Sequence, residues 1–201
     1  MKEIFSAFGS EVFRPLATIL VPGALAISSW FVVLVLRFQA LQKLIAENNT
    51  ETAIILALAC ISAGLLLEDI GARVESKIFD PLLKKKTGFA GHSEEWNRYL
   101  RLAFKTEPVG QRYLRSIMLR FKFETGAGFA LLLAGVGLFH TGIAFSTALL
   151  GFLGCCGVAA YLLYEARCSH QLLSETRREI LKGAISYPPS SPETSDLKAD
   201  A

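Results

Sequence analysis

From Thr125 to Tyr164 the chain carries no Asp, Glu, Lys or Arg, a run of 40 residues. At 1.5 Å per helical residue, that run is long enough for two passes through a hydrocarbon core about 30 Å thick. Charge is scarce overall: 19% of the 201 residues are charged, against about a quarter in ordinary soluble domains. Membrane segments plus a charged remainder account for that deficit and leave no room for a second large soluble domain. Catalytic signatures are missing too. The chain has no HExxH, no glycine loop closed by Lys-Ser/Thr to cradle phosphate, and no GxSxG. No Arg is followed by a His after four to six intervening residues, the spacing used by some small nucleases.

Cysteine and histidine are sparse. Of the four cysteines, Cys60, Cys155 and Cys156 lie in apolar runs and Cys168 just follows one, so they form no disulfide framework and read as small packing residues. His92, His140 and His170 are dispersed. Cys168-Ser169-His170 offers two candidate ligands where a metal site uses three or four. No metal and no cofactor is expected.

What is present is apolar sequence in four stretches. The first, Pro15 to Leu36, contains Pro22-Gly23, which would end a helix in water but would kink one near Val21 within a bundle. Ala24-Leu25-Ala26 resembles a signal-peptidase site, yet cleavage there would fall inside the hydrophobic run, so the stretch is read as a span. The second, Thr52 to Leu67, has only 16 uncharged residues and must borrow length at one end. The long uncharged run divides at Phe139-His140-Thr141-Gly142. The expected architecture is an all-α, polytopic membrane protein. Its spans fall near residues 15–36, 50–69, 121–138 and 143–164, with a helical cytoplasmic segment over 70–120 and a disordered tail over 186–201.

Basic residues set the sidedness. With the amino terminus inside, nineteen of the 21 Lys and Arg face the cytoplasm, and only Arg37 and Lys43 lie outside. Both termini are therefore expected in the cytoplasm, and the membrane is a plasma membrane (the inner membrane in a bacterium). The segment Arg73 to Lys122 holds twelve basic and five acidic residues. Within it, Asp80-Pro81 is expected to end the helix that continues the second span, because the residue before proline resists helical geometry. Lys84, Lys85 and Lys86 would then sit in a loop. Ser93 would cap a helix presenting Trp96, Leu100, Ala103 and Phe104 on one face, with Arg98 and Arg101 elsewhere. Pro108 would start a helix running into the third span, with Leu114, Ile117, Met118 and Phe121 as its apolar stripe and Arg112 and Arg115 at headgroup level. After the fourth span, Arg167 to Lys182 reads as a short amphipathic helix.

Two sets of residues stand out. Glu68, Asp69, Arg73 and Glu75 leave the second span where Arg120, Lys122 and Glu124 enter the third, forming a charge cluster at the membrane boundary. It would serve as an ion or proton site, a latch, or an ion-paired clamp between helices, and the clamp is favoured because boundary charges are cheaper than charges at mid-bilayer. Small residues form the other set: Cys60 and Gly64 on the second span, Gly128 and Gly135 on the third, and Gly151, Cys155 and Ala159 in a small-xxx-small line on the fourth. The leading functional expectation is a non-enzymatic homo-oligomer. Its basic segment would bind anionic lipid headgroups or a cytoplasmic protein, and any gated pathway would lie between subunits. A membrane enzyme or accessory subunit using Glu68 or Asp69 is the alternative, and a small ion or solute transporter the third. Nothing in the chain resembles a nucleic-acid-binding module, so nucleic acid is not an expected partner.

Overall fold

The computed structural model describes the backbone of residues 2–87, 99 and 109–186, and side chains over 16–83, 85, 99 and 110–182. The helix expected from Ser93, with Trp96, Arg98 and Arg101, lies outside the described residues, as do the side chains of Lys84 and Lys86 and the tail from 187 onward. The described chain is helical with no strand. Its elements are α1 (Lys2–Arg37), α2 (Gln39–Glu47), α3 (Asn49–Val74), a π-helical turn (Glu75–Phe79), α4 (Asp80–Thr87), α5 (Val109–Leu138) and α6 (Phe145–Ser186). Four stretches are long and apolar enough to cross a membrane: Leu16–Arg37, Asn49–Leu83, Gly110–Leu138 and Phe145–Lys182.

The central helix is α5. It packs along α6 on one side and against α1 on the other, while α1 also packs along α3. Small residues make these crossings close. A Cβ on Gly23 of α1 would collide with the Cys60 carbonyl of α3, and one on Gly64 would collide with the Ile19 carbonyl of α1. Gly128 faces Leu163 and the Ala159 carbonyl, Gly135 faces Phe152 and Cys155, and Gly151 faces the end of Leu138. Lipid tails are as apolar as the side chains, so close approach and dispersion have to hold such helices together. Ala26, Leu67 and Ala130 form the buried point where α1, α3 and α5 meet.

α1 is helical through Pro22-Gly23, and Pro22 is fully buried. Three local expectations change. Asp80-Pro81 does not end the helix after the second span. The π turn at Glu75–Phe79 widens the backbone just before the proline, and the helix continues through Pro81 into α4. The Lys84–Lys86 backbone is consequently helical rather than looped. The stretch Arg167 to Lys182 is not a short helix of its own but part of α6, which is 42 residues long in all. The turn between α5 and α6 falls at residues 139–142, where Gly142 has φ +79°, a conformation side-chain-bearing residues rarely adopt.

Candidate functional site

At the Glu68 end of the bundle, ion pairs join α3 to α5 and α5 to α6. α3 delivers Glu68 to α5, whose Lys122 Nζ donates to its Oε1; both side chains are substantially exposed. On α5, Arg120 Nε donates to Glu124 Oε1 at 2.6 Å, one helical turn on, and Nη2 donates to Glu165 Oε2 of α6 at 2.7 Å. The Ser169 hydroxyl of α6 donates to the second Glu124 oxygen at 2.7 Å. Glu124 is 5% exposed and thus has both carboxylate oxygens engaged. That satisfies what would otherwise be a costly buried charge.

About two turns beyond the apolar part of α3 lies a second layer, outside the span expected over 50–69. The His170 ring on α6 is 2% exposed and packs between Phe79 and Phe121, with centroid distances of 5.8 and 5.7 Å. Its Nε2 lies 3.1 Å from Asp80 Oδ1 and 3.7 Å from Glu75 Oε1. Burial pushes the Glu75 carboxyl above its ordinary 4.5, and the neighbouring Asp80 charge pushes the same way; Arg177 and Lys122 pull it back. Arg177 is itself buried on α6. Phe79, Phe121 and Ala166 form the apolar floor of this layer.

The seven boundary residues are therefore divided between different places. Glu68 meets Lys122, and Arg120 meets Glu124. Asp69 and Arg73 pair with each other at 2.8 Å on the outer surface of α3, and Glu75 turns toward His170. Lys85, Arg112 and Arg115 are exposed on α4 and α5. Sequence reasoning missed Asp80, Glu165, Ser169, His170 and Arg177. A signal for three of them, Ser169, His170 and Arg177, existed. Ala166, Ser169, His170, Leu173, Ser174, Arg177 and Leu181 recur at spacings of three and four and are all buried, so α6 packs inward a face that is more than half polar. A search confined to apolar periodicity passes over it.

Chemically the site is a set of satisfied charges more than a reaction chamber. The hollow bounded by Glu68, Gly71, Glu75, Lys122 and Thr125 has a volume of about 60 Å³, room for a few waters. Among the described residues no group of three His, Cys, Asp or Glu is placed to hold a metal ion. No protein-family model, curated protein or solved structure matches the chain.

Proposed function

We propose that this is a non-enzymatic, multi-pass protein of the plasma membrane, or of the inner membrane in a bacterium. In this reading its basic cytoplasmic stretch binds anionic lipid headgroups and passes that event directly to the spanning helices. One observation carries the reading. α5 and α6 are unbroken helices of 30 and 42 residues, about 45 and 63 Å long, each well beyond a bilayer core of about 30 Å. Displacing Arg112 or the carboxy-terminal half of α6 therefore moves the intramembrane part of the same rod. Arg120–Glu165 and Ser169–Glu124 tie the two rods together at the level where they emerge. Chemistry at Glu68 or Asp69 draws less support, since each carboxylate is paired with a neighbouring base and the adjacent hollow is too small for a substrate. Several copies would associate in the bilayer, and any solute pathway would run between them. A cytoplasmic protein acting on the same basic stretch would compete with the lipid.

Native mass spectrometry tests this on full-length protein extracted from vesicles of mixed phosphatidylcholine and phosphatidylglycerol. Each Lys or Arg near the surface contributes about 1 kcal/mol toward anionic lipid, so Lys84→Gln/Lys85→Gln/Lys86→Gln should cut retained phosphatidylglycerol by up to about a hundredfold. Equal retention by wild type and variant would remove the lipid role. The same spectra read copy number, and a purely monomeric population would remove the inter-subunit pathway.

A further inference from the structure

The segment between α1 and α3 folds as a nine-residue helix, α2. Phe38, in extended conformation (φ −117°, ψ 100°), breaks the chain out of α1, and Asn48 turns it into α3. The Gln42 amide donates to the Val35 carbonyl at 2.8 Å, fixing α2 against the carboxy-terminal end of α1 and satisfying one of its unpaired carbonyls. Around the α2 axis, Leu41, Leu44 and Ile45 fall on one side with Phe38 at its edge, and Gln39, Lys43 and Glu47 fall on the other. No residue of α2 is buried, and Phe38 and Leu44 are 56% and 46% exposed. An apolar face left open in this way is costly in water.

We propose that α2 is a membrane-surface anchor. It lies in the plane of the headgroup layer at the end of the bundle opposite Glu68, with Phe38, Leu41, Leu44 and Ile45 among the upper acyl chains and Gln39, Lys43 and Glu47 in water. The occupant of the apolar face is the lipid surface itself. Both ends of α2 run directly into stretches long and apolar enough to cross the bilayer, so the helix is held where those stretches emerge. A helix with one strongly polar and one apolar face settles roughly 5–10 Å into that boundary. Its single Lys and single Glu cancel, so the contact is apolar and indifferent to lipid charge, unlike the basic stretch at the other end. An anchor here also answers the shortness of the uncharged run in α3, because it fixes the depth at which Asn49 begins that helix. The inference rests on α1 and α3 spanning the membrane.

The test uses full-length protein in phosphatidylcholine vesicles, with nitroxide labels placed singly at 34, 38, 39, 43, 44 and 47 after the native cysteines are replaced by alanine. Oxygen concentrates among acyl chains and a nickel chelate stays in water, so the ratio of their relaxation effects reads depth. Labels at 38 and 44 should favour oxygen, those at 39, 43 and 47 should favour nickel, and 20% phosphatidylglycerol should leave the pattern unchanged. Nickel access at 38 and 44 overturns the anchor, as does shielding of both from either reagent, which would show that another protein surface covers the face. Leu34, exposed on α1, separates the failures: if it too favours nickel, the membrane assignment falls along with the anchor, and if it favours oxygen, only the anchor falls.

Discussion

At the scale of single residues, small side chains hold the helices together and one buried carboxylate organises the charges. Gly64 abuts backbone of the neighbouring helix, whereas Gly154 has nothing within 4 Å. Gly64→Ala forces α1 and α3 apart, and overpacking of this kind costs about 1–3 kcal/mol. Gly154→Ala should stay within about 0.5 kcal/mol of wild type, as substitutions away from contacts usually do. Thermal midpoints in mild detergent check the pair, and equal losses in both would contradict the packing described. For Glu124, substitution by Gln keeps the shape but removes the charge that receives Arg120 and Ser169. The expected loss is about 1–3 kcal/mol, with Ser169→Ala costing about 1 kcal/mol and the double variant less than the sum of the two. Strict additivity in that cycle would mean the two side chains do not act together.

Among the elements, the π turn and α4 carry the feature most open to titration. Glu75 there faces Asp80 on α4, Lys122 on α5, and His170 and Arg177 on α6. Its carboxyl holds a proton more tightly in the folded protein than at the ordinary 4.5. Between those two values the folded state binds more protons than the unfolded state, so stability declines as pH rises through that window. Below 4.5 the penalty is absent; above the folded value it is complete. Comparing thermal midpoints of wild type and Glu75→Gln from pH 4 upward isolates this group, since the two proteins differ only there. The glutamine variant should gain on wild type as pH rises, and a gain by wild type would reverse the assignment. These same elements show what the sequence made legible. Four apolar stretches are unmistakable because bilayer thickness demands length, and the break near His140 is marked by Gly142. Pro81 misled because a proline stops a regular helix, whereas a π turn before it supplies the room. The buried face of α6 stayed hidden because its inward residues are Ser, His and Arg, and only partners on α4 and α5 make burying them tolerable. α2 was overlooked because nine residues between two spans resemble a loop until their faces are sorted.

Over the whole molecule, charge and apolar length are arranged along one axis. The ion-paired layer, Lys85, Arg112 and Arg115 lie toward one end of the long helices, while the α5–α6 turn and α2 lie toward the other. An uneven distribution of Lys and Arg in short connections orients a helical membrane protein, because moving them across the bilayer during insertion is unfavourable. If nineteen of the 21 basic residues share one side, as expected from the sequence, there is little freedom in which side that is. A cysteine introduced at Lys85, on a background lacking the native four, should react with a membrane-impermeant maleimide only after the cells are opened. One introduced at Thr141, in the α5–α6 turn, should react in intact cells. If the labelling pattern were inverted, the helix packing and the Glu124 network would stand, but the basic stretch would face away from the cytoplasm. It would then have neither the anionic inner leaflet nor a cytoplasmic protein to engage, and the coupling proposed for α5 and α6 would have no stimulus to carry.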